Sequence, residues 1–343
     1  MTAAGRYAEL SSAVRCFKGE LLQRHQIERL VEAGSLSETI GLLTGGHTTS
    51  VGRSDLASAE AHLTNKIFQL VKRLISYAPP DSRLLLRIFS TKFEFECAKE
   101  ILKAVYYEVA SGEALRHIIP AGRFTAERCS ELIEARDPSG AIDALEDEAL
   151  KHFISPRLMG ERDGLTVVSA LDQYYYSRLW AACSLRDLVD AQVARSLVGE
   201  SIDHMNILLA LRSQLMGLDA RSISELLVPV NHHLGTAFNE LADAGSLPNM
   251  IRVLDRTPYA DVLKMMKVGS DDGSLEKIEL ALNRAHLATC LSTFAGSPFH
   301  IGLALAFLMI KNYELHDLLA ILNAKANNVP SERTIKSLIL WSQ

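Results

Sequence analysis

Leu30-Val31-Glu32-Ala33-Gly34-Ser35-Leu36 has two counterparts further along the chain. They are Leu132-Ile133-Glu134-Ala135-Arg136-Asp137-Pro138 and Leu241-Ala242-Asp243-Ala244-Gly245-Ser246-Leu247. The leading leucines are separated by 102 positions and then by 109 (132−30 and 241−132). Each copy reads as a helix that ends near Ala-Gly or Ala-Arg, followed at once by a new helix. The new helix opens on Ser35, Asp137 or Ser246. Side chains of these types accept a hydrogen bond from an unpaired N–H of the first turn, which is why they favour the N-cap. Ser35 and Glu38 have the spacing of a capping box, and Pro138 stands where a helix tolerates proline. Isoleucine then recurs at Ile40, Ile142 and Ile251, with leucine three positions on at Leu43, Leu145 and Leu254. Residues three apart share a helix face, so each pair predicts a short helix docked on a neighbour.

A second pattern repeats independently. Glu94, Asp203 and Glu314 are followed three positions later by Cys97, Asn206 and Asp317. An apolar residue comes next in each (Ala98, Ile207, Leu318), with leucine at Leu102, Leu211 and Leu322. The acidic positions are 109 and 111 apart (203−94 and 314−203), close to the first period. Ile119-Pro120 and Val228-Pro229, also 109 apart, mark the joins. Coincidence among helical leucines would account for one pattern; agreement of two at one period argues for an internal repeat. The expected units are residues 1–118, 119–227 and 228–343.

Between these marks the apolar spacing is helical. Leu63, Ile67, Leu70, Val71 and Leu74 form one stripe, and Leu280, Leu287 and Leu291 belong to another. Strict alternation over a strand length is scarce, so the expected class is all-α. Breaks fall at Gly45-Gly46, Pro79-Pro80, Pro120-Ala121-Gly122, Pro229 and the acidic run Gly269–Gly273. That last run reads as an exposed loop. The strongest apolar run, Ile301 to Ile310, is shorter than the roughly 20 residues a bilayer crossing needs. It predicts a buried core helix, and any membrane association would pass through a partner. Met1 to Tyr7 lacks the apolar core of a signal segment.

Composition narrows the function classes. The 343 residues are 48% hydrophobic and 22% charged, enough for a real core, and the formal net charge is -5. A nucleic-acid partner is therefore not favoured. Five cysteines, Cys16, Cys97, Cys129, Cys183 and Cys290, are scattered, odd in number and without zinc spacing. They read as reduced thiols, several of them buried. GxGxxG, the P-loop, HExxH and GxSxG are all missing from the sequence. Gly45-Gly46-His47-Thr48-Thr49-Ser50 lacks the lysine of a phosphate cradle and reads as a surface loop. His232-His233 would point to different sides of a helix, a poor metal pair. Asp271-Asp272 lacks the spacing that puts two carboxylates on one helix face. Tyr174-Tyr175-Tyr176 and Trp180 read as packing residues rather than base-stacking ones. No catalytic, cofactor-binding or metal-ligating residue is expected. Glu94, Asp203 and Glu314 stand out because the repeat makes them equivalent. Two readings stay open: they line a central opening, or each pairs with a local cation or helix end.

At the two ends the residues resemble a family. Tyr7-Ala8-Glu9-Leu10 through Val14-Arg15-Cys16-Phe17-Lys18-Gly19, then Leu21-Leu22, is similar to the start of the d subunit of V-type ATPases. Ser297-Pro298-Phe299-His300-Ile301-Gly302, through Ala306-Phe307 to Lys311-Asn312-Tyr313-Glu314, resembles the last long helices of that d subunit and of the C subunit of A-type ATP synthases. Length and three-unit organisation match over essentially the whole chain. Cys97, where the family often has Asn, and Arg136-Asp137-Pro138 depart from the pattern. The resemblance implies three similar helical units in pseudo-threefold symmetry, forming a funnel or socket. It implies a non-catalytic central-stalk subunit that couples rotor shaft subunits of D/F type to the membrane proteolipid ring. Such a subunit transmits torque for proton or sodium transport and for ATP synthesis or hydrolysis. The chain would be monomeric when isolated, one copy per complex, peripheral on the cytoplasmic face. Arg87, Glu94, Asp203, Asn206, Arg212, Glu314 and Asp317 are the expected partner-facing residues, with helix packing the competing role for Asn206 and Asp317. The alternative is a helical-repeat scaffold that binds another protein.

Overall fold

The computed structural model describes residues 2–44, 53–158, 164–264 and 275–341. The Gly45–Ser50 cluster and the Gly269–Gly273 run, with Asp271-Asp272, lie outside the described residues. Among the described residues the secondary structure is helical, with one isolated bridge between Ala121 and Phe124 and no strand. The all-α expectation holds. No helix there is long and apolar enough to cross a membrane.

The chain forms two compact units, residues 1–80 with 287–343, and residues 81–286. In the first, helix Gly302–Ala326 packs against Arg53–Tyr77, Ala3–Lys18 and Leu36–Thr44. Its residues from Gly302 to Lys311 are all buried. A helix apolar on every side belongs in a core, so the run from Ile301 to Ile310 is the interior helix its length predicts. Phe294 and Phe307 stack nearby, centroids 5.9 Å apart.

In the second unit, Lys92–Tyr106 and Gly164–Ala182 pack side by side, with Arg83–Ser90 and Leu188–Leu215 against the latter. The tyrosine run does the packing expected of it. Phe95 meets the rings of Tyr174 and Tyr175 at 6.2 and 5.5 Å. Such offset contacts add to the area each ring buries.

The repeated turns form where the spacing predicts, with local differences. Arg24–Glu32 passes into Leu36–Thr44, Ala126–Glu134 into Pro138–Asp143, and Ala237–Asp243 into Leu247–Leu254. Ser35 Oγ accepts from the Glu38 amide at 3.2 Å, and Asp137 Oδ1 accepts from the Ser139 amide at 2.9 Å. Glu38 reaches back to the Gly34 amide rather than to Ser35, and Ser246 makes no side-chain cap. Ile40, Ile142, Leu145 and Leu254 are buried, but Leu43 and Ile251 are only half-buried. Met250 is buried instead of Ile251, because helix Leu247–Leu254 turns that side inward.

Candidate functional site

The repeated acidic positions lie on the long helices Lys92–Tyr106, Leu188–Leu215 and Gly302–Ala326. All three carboxylates are buried, and each takes a backbone N–H from another segment. Glu94 Oε1 accepts from Arg123 N at 3.1 Å, across a separation of 29 positions. Asp203 Oδ1 accepts from His232 N at 3.1 Å, again across 29 positions, and Oδ2 from His233 N at 2.6 Å. Glu314 Oε1 accepts from Leu22 N at 2.5 Å, while Oε2 pairs with Lys311 Nζ, also at 2.5 Å. Arg123 and Leu22 precede the copies that begin at Leu132 and Leu30, and His232 precedes the copy at Leu241. Each carboxylate thus holds the segment that leads into a following repeat, and the last holds the first. A buried carboxylate is costly unless it is paired or hydrogen-bonded, and backbone donors meet that need here.

The second repeated position works in the same way at a shared spacing. Asn206 Oδ1 accepts from Val228 N at 2.9 Å, and its Nδ2 donates to the carbonyls of Val228 and Val230. Asp317 Oδ1 and Oδ2 accept from Ile339 N and Leu340 N, at 2.7 and 2.8 Å. Cys97 Sγ donates to the Ile119 carbonyl at 2.9 Å, doing part of what the amide does at Asn206. The three separations are equal (228−206, 339−317, 119−97). The Ile119-Pro120 and Val228-Pro229 joins are therefore two of the backbone segments that these side chains pin.

Close packing explains two glycines. Gly122 has φ +59, and a Cβ there would come within 2.1 Å of the Glu94 carboxylate. A Cβ on Gly199 would meet the His232 ring at 2.4 Å. The segments that reach Glu94 and Asp203 can come so close because these positions have no side chain.

Of the seven residues expected to face partners, five are buried: Glu94, Asp203, Asn206, Glu314 and Asp317. Arg87 and Arg212 are exposed, and Arg212 pairs with Glu279. The sequence reading missed Arg123, Lys311 and Tyr259 as partners of the acids. The Tyr259 hydroxyl donates to Asp203 Oδ2 at 2.8 Å. Burial and the Asp203 carboxylate hold its pKa well above the ordinary phenol range. The recurrence of the proline joins at one offset after Cys97 and Asn206 is a signal in the sequence for the pinned segments; nothing in it marks Tyr259.

Beside Asp203 lies a buried imidazole pair. The rings of His204 and His286 are 6.0 Å apart, and His204 meets Tyr259 edge-on at 5.0 Å. Burial, and then the charge of His286, lowers the His204 pKa to about 3. Burial lowers His286 to about 4, although its Nε2 bonds the Leu197 carbonyl. Elsewhere in this unit Lys99 Nζ bridges Glu96 and Asp172, both at 2.8 Å. Burial opposes its charge, yet the two carboxylates raise its pKa. The backbone amides of His232 and His233 are engaged by Asp203, and the two rings lie 3.7 Å apart at the approach to helix Ala237–Asp243. Among the described residues no cluster of His, Cys, Asp and Glu is arranged to hold a metal. In the first unit a cavity of about 170 Å³ lies over the Glu314–Lys311 pair, walled by leucines that include Leu22, Leu63 and Leu318. The chemistry assembled at these positions is hydrogen bonding that fixes backbone. Cys97, Cys129, Cys183 and Cys290 are buried and Cys16 is exposed; none forms a disulfide. Burial lifts the Cys97 and Cys183 thiols to about 12.

Known proteins share this chain over nearly its whole length. The family model described as ATP synthase (C/AC39) subunit matches residues 10–336. The C subunit of the A-type ATP synthase of Methanocaldococcus jannaschii is 24% identical, over 97% of this chain and 86% of that protein. The same subunit of Pyrococcus horikoshii is 23% identical, over 97% of this chain and 90% of its own length. That of Methanosphaera stadtmanae is 24% identical, over 97% and 88%.

Proposed function

The chain belongs to the ATP synthase (C/AC39) subunit family, and from that premise we propose that it is the central-stalk coupling subunit of an A-type rotary ATPase. In this reading residues 1–118, 119–227 and 228–343 are three like helical units in pseudo-threefold arrangement. They form a socket that receives the D/F-type shaft and rests on the proteolipid ring, peripheral to the cytoplasmic face. The subunit carries torque and has no turnover of its own. One observation supports this best: the same buried clamp recurs on three long helices, each tying its helix to the lead-in of another repeat. A body that transmits torque must resist shear between its parts. Charge-assisted bonds to backbone are stronger than neutral ones and geometrically demanding.

Buried clamps act by positioning. Exposed Arg87 and Arg212 are the members of the expected set able to touch a partner directly, while Glu94, Asp203, Asn206, Glu314 and Asp317 hold the segments that carry the contact surface. The test is reconstitution of the purified chain with shaft subunits and with the proteolipid ring. Binding to both, with no ATP hydrolysis by the chain alone, is the expected result. Robust intrinsic ATPase activity would overturn the proposal. Binding to neither partner, under conditions where the rest of the complex assembles, would favour a scaffold for some other protein.

A further inference from the structure

The cavity of about 170 Å³ in the first unit is walled by helices Arg24–Glu32, Leu36–Thr44, Arg53–Tyr77 and Gly302–Ala326, all of one compact body. Leu22, Leu30, Leu63, Leu70, Leu315 and Leu318 supply much of its wall, and no aromatic ring lines it among the described residues. Its polar part holds the buried Lys311–Glu314 pair. Both oxygens of Glu314 are engaged, by Leu22 N and by Lys311 Nζ. An ammonium has three donors. Lys311 uses one on Glu314 and one on the Glu20 carbonyl at 2.7 Å, which leaves the third for whatever fills the cavity. The clamp itself does not call for a lysine: Thr91 and Glu200 stand at the same offset before Glu94 and Asp203. Arg29 and Lys66 also line the cavity, exposed and without an ion-pair partner among the described residues.

We propose that this cavity binds a small aliphatic monocarboxylate, its hydrocarbon body among the leucines and its carboxylate on the spare Lys311 donor. Size, wall and charge each narrow the class. A leucine-lined cavity of about 150 Å³ takes a benzene, so this one suits a body of about six carbons. Each methylene buried there favours binding. With no ring to stack on, nothing in the wall selects a flat body over a flexible chain. Arg29, Lys66 and Lys311 set three positive charges against the two negative charges of Glu20 and Glu314, and the excess of one matches a monoanion. A neutral body would leave the third Lys311 donor without a charged acceptor, and hydrogen bonds to charged groups are the stronger kind. A phosphate dianion would overbalance the charge and leave the leucines uncovered. The Leu22 side chain walls the cavity while its N–H is held by Glu314, so a bound carboxylate braces the segment that this clamp fixes. The site belongs to one unit and does not depend on the rotor reading.

The experiment is calorimetric titration of the full chain, at neutral pH, with hexanoate, hexanol, hexylamine, butanoate and dodecanoate. Hexanoate should bind with a Kd below about 1 mM, and hexanol and hexylamine at least about tenfold more weakly. Butanoate should bind more weakly than hexanoate, and dodecanoate no more tightly. The R29Q/K66Q variant should weaken hexanoate about tenfold and leave hexanol within about twofold. L43W, which fills the cavity from a half-buried position, should abolish hexanoate binding. R29Q/K66Q alters exposed side chains only, so it tests the charged end even where L43W fails to fold. Absence of hexanoate binding to the unaltered chain overturns the inference, as does hexanol that binds as tightly as hexanoate. Affinity that keeps rising to dodecanoate, the mark of a lipid acyl groove or of non-specific partition, overturns it too. So does hexanoate binding that R29Q/K66Q leaves unchanged, or that survives in folded L43W.

Discussion

Asp203 is fully buried, yet its carboxylate accepts from two consecutive amides and a tyrosine hydroxyl. Asp203→Asn keeps the shape but turns an NH₂ group toward one of those donors. We expect a loss of about 2–4 kcal/mol, the range for disrupting a buried charged hydrogen-bond site. Urea unfolding of the two proteins would measure it; a difference below about 0.5 kcal/mol, the size of a surface change, would show that the clamp is dispensable. The equivalence of Glu94, Asp203 and Glu314 was legible in the sequence because periodicity is a property of the chain. Whether they line an opening or pair locally was not, because a carboxylate on a helix reads the same whether its face is wet or dry. Their backbone donors lie far along the chain, and in one case at its other end. Such donors have no residue-type signature, since every residue but proline has an amide N–H.

At the scale of the element, the second repeat differs from the others at its turn. Arg136 has φ 51, in the left-handed region, and Gly245 has φ +66 at the corresponding position of the third repeat (136+109). An L-residue with a Cβ is strained there by about 1 kcal/mol. Arg136→Gly should therefore stabilise the protein, by up to about 1 kcal/mol less whatever glycine adds in unfolded-state entropy. A raised urea midpoint with an unchanged slope is the expected result; a lowered midpoint would mean that the Arg136 side chain makes a contact worth more than the strain. Helix class, the turn positions and the interior helix after Ile301 were legible, because each depends on local spacing and turn chemistry. Which side of a short helix faces inward was less so. Ile251 and Met250 are both apolar neighbours, and only the surface they meet selects one.

For the molecule as a whole, the buried imidazoles set a pH limit. His204 and His286 ionise at about 3 and about 4 when folded, against about 6.5 when unfolded. Between pH 6.5 and about 4 the unfolded chain binds protons at both sites while the folded chain stays neutral. Stability therefore falls as pH is lowered through that window. From pH 6 to pH 5 the pair should cost about 2 kcal/mol. His286→Gln, which keeps a donor for the Leu197 carbonyl, should remove about half of that dependence. Thermal unfolding of both proteins at several pH values is the measurement, and parallel pH curves would contradict the assignment.

By itself the sequence determined the helical class, the period of the internal repeat, the ATP synthase subunit family and the three acidic positions that matter. Each of these is carried by residue identity and spacing along one chain. Only the tertiary structure decided that those acids are buried, that their partners are amides of other segments, and that the exposed members of the expected interface set are Arg87 and Arg212. It also set the Tyr259 hydroxyl on Asp203 and the His286 ring beside His204. Burial and long-range hydrogen bonds are relations between segments far apart in sequence. They depend on which faces meet when the helices pack, and a one-dimensional pattern says which face is apolar without saying what lies across from it.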